Sequence, residues 1–203
     1  MGGVISTSRE WGLATAVGVA GVAGAGGWIA GAAVAGPAYP FVATAIFGVV
    51  ALAAWPGLRA GHPHRRLGPA NYVTLVRAGG MALVAAFLAA PVSPRVAWAA
   101  GGVAVVTAAL DVVDGWIARR TRLASRFGAR FDMETDALLI LALTALAWRQ
   151  DKAGVWVLAG GLMRYAFVAG GRVWPWLAGP LSPTLRGRFI AAGFTLASIV
   201  VLT

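Results

Sequence analysis

Seven apolar stretches, at 12–35, 41–57, 71–90, 96–117, 131–148, 154–171 and 187–203, alternate with short polar connections. Each has the roughly 17–25 residues that a helix needs to cross a bilayer. Pro37, Pro40, Pro56, Gly57, Pro63, Pro69, Pro91, Pro94, Pro175, Pro180 and Pro183 fall at their margins, and such helix breakers are expected in the connections. Residues 12–35 carry the runs GVAGVAGAGG and GAAVAG, whose small side chains at four-residue spacing let helix backbones approach closely. The pattern predicts an all-α polytopic membrane protein, a bundle of about seven transmembrane helices.

Composition agrees with that class. Hydrophobic residues make up 59% of the chain and charged ones 12%, well below the roughly 25% of a soluble domain; mean hydropathy is +0.77. Cysteine is absent, which excludes a disulfide framework, thiolate metal sites and a cysteine nucleophile. The net charge of +10 comes from 17 basic residues. Twelve of them (Arg9, Arg59, Arg65, Arg66, Arg119, Arg120, Arg122, Arg126, Arg130, Arg172, Arg186 and Arg188) share one side if the N-terminus is cytoplasmic. Only Arg95, Arg149 and Lys152 fall on the other. The positive-inside rule selects this topology and explains the charge without nucleic acid. It predicts an integral inner-membrane protein. Two cations, Arg77 and Arg164, lie inside spans about two turns from their cytoplasmic ends.

Acidic residues are distributed quite differently. Of the 7 Asp and Glu, Asp111, Asp114, Asp132, Glu134 and Asp136 are packed into DVVDGWIARRTRLASRFGARFDMETD, at the predicted cytoplasmic face. An ionised group near the membrane centre costs about 2.5–3.5 kcal/mol, so such a cluster needs a compensating ligand. Asp111 and Asp114 are i,i+3, and Asp132 and Asp136 are i,i+4, so each pair projects from one helical face. The short connection predicts that the two helices are antiparallel neighbours. Their oxygen donors suit Mg²⁺ or Mn²⁺, one or two ions, which typically bridge carboxylates to substrate phosphates. Gly115 and Gly128 would let backbone approach a ligand, and Arg119 offers a donor fork suited to phosphate. Glu134 is about 200° around the helix from Asp132 and falls outside this group.

The run Asp111-x2-Asp114-Gly115-x2-Ala118-Arg119-x8-Gly128-x3-Asp132-x3-Asp136 resembles the signature of the CDP-alcohol phosphatidyltransferase family without a mismatch. Upstream, Pro69-x-Asn71-x2-Thr74-x2-Arg77 is similar to the family's first-helix pattern. The resemblance implies transfer of a phosphatidyl group from CDP-diacylglycerol to a small alcohol, with release of CMP, in phospholipid synthesis. It implies that Asp111, Asp114, Asp132 and Asp136 hold the metal and that Asp136 is also the general base. Asp114, Gly115, Ala118, Arg119 and Gly128 would contact the CDP group, with Asn71 and Thr74 as further contributors. A homodimer embedded in membrane lipid is implied as well. Arg77 and Arg164 are candidate ligands of an acceptor phosphate, as in glycerol 3-phosphate or an inositol phosphate, since two intramembrane cations favour an anion.

Residues 1–58 then form a two-helix N-terminal extension and 59–203 the family domain. The family has six core helices, whereas five spans follow residue 71. Span 41–57 runs in the direction of the absent last helix and is expected to take its place beside spans 154–171 and 187–203. Trp174 and Trp176, beside Arg172, suit the membrane interface. His62 and His64 read as exposed loop residues. Two other classes use carboxylates on membrane helices: a Mg²⁺-dependent prenyltransferase, which leaves the Gly-x2-Ala-Arg insertion unexplained, and a cation transporter, which often shows an internal repeat not seen here.

Overall fold

A computed structural model describes residues 27–60, 69–121, 126–174, 176 and 185–203, with side chains at 27–54, 74–111, 128–174, 176 and 190–203. Among these residues the chain forms seven α-helices and no strand. They are α1 (27–35), α2 (Tyr39–Ala60), α3 (Pro69–Ala86), α4 (Pro94–Thr121), α5 (Arg126–Arg149), α6 (Leu158–Val173) and α7 (Leu185–Leu202). Short 3₁₀ turns extend the end of α3 (Phe87–Ala89) and precede α6 (Val155–Val157).

Each apolar stretch therefore coincides with a helix, apart from the part of the first stretch, with most of its small-residue runs, that lies outside the described residues. Pro69 and Pro94 open α3 and α4, positions at which a missing backbone N–H costs nothing. Pro56 departs from expectation: α2 continues through it to Ala60 rather than stopping there. A proline so close to a helix end removes one hydrogen bond without breaking the helix elsewhere. His62, His64 and Pro63 lie outside the described residues.

Among the described residues no helix is long and apolar enough to cross a membrane. In α5 the opening turns carry Asp132, Glu134 and Asp136, so its apolar run begins only at Ala137.

Helices α3 and α5 form the centre. Against α3 pack α2 and α4, and against α5 pack α6 and α7, with α7 also touching α4. Among the described residues, α4 and α5, expected as direct neighbours, are held together mainly through α3. Small residues explain the arrangement. A Cβ on Gly80 of α3 would lie 2.3 Å from Thr107 Oγ1 of α4, and one on Gly161 of α6 would lie 2.8 Å from the Leu141 Cα of α5. Both contacts need glycine.

The expected placement of span 41–57 is also overturned. Helix α2 lies on α3 rather than in extensive contact with α6 or α7. Tyr39 decides this, donating its hydroxyl to the Leu83 carbonyl at 2.8 Å and setting its ring 4.6 Å from that of Phe87.

The apolar core occupies one end of the bundle. Met81, Val84, Phe87, Val96, Leu143, Leu146, Ile199 and Leu202 are buried together. The same end is closed by polar ties: the Ser93 N–H donates to Gln150 Oε1 at 3.0 Å, and Arg149 donates to the Ala90 carbonyl. Moving away from it, buried Thr107 and Thr135 satisfy their hydroxyls on carbonyls of their own helices. At the opposite end the interior turns ionic.

Candidate active site

Three helices supply the ionic end. Arg77 comes from α3, Asp111 from α4, and Asp132 and Asp136 from α5. On α5 the two aspartates are one turn apart and face α3, as their i,i+4 spacing requires. Asp111 reaches them although α4 and α5 have little contact among the described residues, because α3 puts Arg77 between the two helices.

Arg77 is 2% exposed, and its guanidinium meets all three carboxylates. Nη1 lies 2.9 Å from Asp111 Oδ1 and also donates to Asp132 Oδ1, while Nη2 donates to Asp136 Oδ1. The aspartates are far more open, with side chains 39–50% exposed. The cation is buried beneath a rim of carboxylates that a ligand can approach. Buried charge of this kind persists only when paired, and here the pairing is threefold.

The arithmetic of the cluster favours a further cation. With all three carboxylates ionised, they and the one guanidinium carry a net charge of −2, the charge balanced by one divalent ion. One oxygen from each of Asp111, Asp132 and Asp136 lies within 4.8 Å of the others. An ion with metal–oxygen distances of about 2.0–2.6 Å bridges such a set, and the donors are all hard oxygens. These three residues fit a Mg²⁺ or Mn²⁺ ion.

Asp114, Gly115, Ala118 and Arg119 lie on the last turns of α4, and their side chains are outside the described residues. Gly128 is in the first turn of α5. Thr74 is buried on α3 one turn before Arg77, and Asn71, in the first turn, has no described side chain.

Arg164 is placed differently from Arg77. It grips Glu134 with a two-pronged contact, Nε to Oε2 at 3.3 Å and Nη2 to Oε1 at 2.5 Å, and its Nη1 lies 2.8 Å from Met133 Sδ. Glu134 projects from the face of α5 opposite the aspartates, so the pair ties α6 to α5. The sequence held the signal for this partner in Glu134's angular offset. For Arg77 it held only the position within a span, since nothing local in α3 announces that two other helices bring carboxylates to it.

Among the described residues an all-helical bundle gathers three carboxylates around a buried arginine at one end, a set of hard-oxygen donors that could hold a divalent cation. Comparison with known proteins makes the class specific. A family model for CDP-alcohol phosphatidyltransferase matches residues 68–203, and the chain belongs to that family. The match begins at the start of α3 and includes every residue of the signature, leaving α1 and α2 outside it. Neither the curated proteins nor the solved structures gave a match. The family transfers a phosphatidyl group from a CDP-alcohol to an acceptor and typically uses a divalent metal.

Proposed function

We propose that this protein transfers the phosphatidyl group of CDP-diacylglycerol to a small alcohol in a membrane, releasing CMP. The observation that carries the reading is the convergence of Asp111, Asp132 and Asp136, with a deficit of two positive charges, inside the segment that matches the family.

In this reading Asp111, Asp132 and Asp136 hold a divalent ion, joined by Asp114, one turn along α4 from Asp111. When bound, such an ion neutralises negative charge on the phosphates. The acceptor oxygen forms a bond to the phosphorus that carries diacylglycerol, the bond from that phosphorus to CMP breaks, and CMP leaves with the electron pair. Asp136 takes the acceptor's hydroxyl proton as general base. Its half-open carboxylate is accessible to an alcohol arriving from water. Gly115, Ala118, Arg119 and Gly128, with Asn71 and Thr74, form the pocket for the CDP group.

The pairing of Arg77 and Arg164 with carboxylates bears on the acceptor. Both cations are balanced in this state, so charge alone does not call for a phosphorylated alcohol. The proposal is accordingly a small alcohol, with glycerol 3-phosphate and inositol phosphate as members of the panel to be assayed.

A membrane setting is supported by the outer surface of the bundle. Phe41, Leu52, Trp98, Val105, Met163, Phe167, Ile190 and Val200 are all exposed and spread over α2, α4, α6 and α7. Apolar surface so widespread is foreign to a soluble monomer, and it suits lipid or a second copy of the chain. Trp174 and Trp176 are exposed beside Arg172, as interfacial anchors would be. The diacylglycerol chains would remain in lipid while the cytidine head enters at the carboxylate end.

The test is purified full-length protein in lipid nanodiscs, given CDP-diacylglycerol, Mg²⁺ and single alcohols from a panel of free and phosphorylated acceptors. Mass spectrometry should identify one new phospholipid matched mole for mole by CMP. Product formed from a prenyl diphosphate instead, or vesicle uptake of Mn²⁺ with no lipid product, would overturn the proposal.

A further inference from the structure

One buried guanidinium lies among the same carboxylates that fit a divalent ion. We infer that Arg77 is a placeholder cation, holding Asp111, Asp132 and Asp136 together in the ion-free protein and giving way when the ion binds. The inference rests on the proposed ion site and adds a role for a residue that site does not otherwise use.

Three features carry it. The first is reach: from α3, the two terminal nitrogens of Arg77 contact one oxygen of each carboxylate, spanning α4 and α5. Those helices have little direct contact, so Arg77 does the joining at this level among the described residues. The second is competition. One oxygen from each carboxylate lies within 4.8 Å of the others, and a guanidinium and a divalent ion drawn to the same three carboxylates repel each other. The third is access. Arg77 is buried while the aspartates are open, so an ion arrives from the exposed rim and meets oxygens already gathered for it.

Without such a cation, three neighbouring carboxylates would push apart and the ion-free site would have to be assembled on binding. With it, the carboxylates are pre-arranged, at the expense of ion affinity. The displaced side chain has a flexible stem and a planar fork that suits a phosphate oxygen. Arg77 is thus a positioning residue, acting through the aspartates.

The sign of one measurement separates this role from a purely supporting one. If Arg77 only braced the site, its loss would weaken ion binding; if it competes, its loss strengthens it. Mn²⁺ binding to the full chain in detergent is read by electron paramagnetic resonance for wild type, Arg77→Gln, Arg77→Lys and Asp132→Asn. Wild type should bind Mn²⁺ saturably and Asp132→Asn should not. Arg77→Gln should bind at least about tenfold more tightly than wild type, since the competing charge is gone. Arg77→Lys should also bind more tightly, by less, because one ammonium cannot span three carboxylates. In chelator, Arg77→Gln should melt below wild type and gain more from added Mn²⁺.

Equal or weaker Mn²⁺ binding by Arg77→Gln overturns the inference. A variant that can be purified only with Mn²⁺ present supports it. If Arg77→Gln is unstable with or without Mn²⁺, Arg77→Lys decides, and affinity no tighter than wild type overturns it. Wild type that binds no Mn²⁺, or binding untouched by Asp132→Asn, removes the ion site itself and this inference with it.

Discussion

Asp136 combines three circumstances on one side chain: it stands one turn from Asp132, it accepts a hydrogen bond from a buried arginine, and it keeps a half-open face. Asparagine preserves its shape but cannot take a proton or supply a full negative charge. Asp136→Asn should therefore lower CMP release by about 10²–10⁴-fold, the usual worth of a general base, with the melting temperature near that of wild type. The Arg164–Glu134 pair makes the opposite prediction. Both side chains are partly open to solvent, so Glu134→Gln should cost about 1 kcal/mol or less in a denaturation experiment. It should leave Mn²⁺ affinity unchanged, because Glu134 points away from the aspartates. At this scale the i,i+4 separation made Asp132 and Asp136 legible as one face of a helix, and Asp111 meets them, while the side chain of Asp114 lies outside the described residues. Arg77 was legible as a cation within an apolar stretch but not as their partner. That partnership crosses 55 residues of sequence to Asp132 and is made by packing.

Helix existence follows from hydropathy, and the apolar stretches matched the helices with shifts of a few residues at the ends, Pro56 being carried inside α2. Helix neighbours do not follow in the same way. A helix that is apolar on every face has no polar side to orient it, so contact is chosen by shape, and shape here is set by where glycine and alanine fall. That is why, among the described residues, α3 packs against both α4 and α5, and why α2 seats on α3 through Tyr39 instead of standing beside α6 and α7. The glycine contacts can be tested directly. In Gly161→Val the new side chain meets the Leu141 backbone, which has nowhere to move, so α6 must shift from α5. Thermal denaturation should show a loss of about 1–3 kcal/mol, as expected of overpacking. CMP release should fall with it, because α5 carries two of the aspartates.

Across the whole molecule, packing and chemistry are separated by position. One end of the bundle is closed by an apolar core and by the Arg149, Ser93 and Gln150 ties; the other collects Thr74, Arg77 and the carboxylates. A rigid end of this kind can hold an ionic end in register while a ligand enters and leaves. Stability should therefore respond to divalent ions at one end only. Mg²⁺ at a hundred times its dissociation constant should stabilise wild type by about 2.7 kcal/mol, and Asp132→Asn not at all. If the carboxylate cluster and a divalent ion together move a phosphatidyl group, both should be needed for turnover. The most direct measurement is the initial rate of CMP release from CDP-diacylglycerol by the purified chain with an alcohol mixture, compared in Mg²⁺ and in chelator. Release should require Mg²⁺ and be lost in Asp136→Asn; release that persists in chelator, or at the wild-type rate in Asp136→Asn, would rule out a metal-carboxylate phosphatidyl transfer.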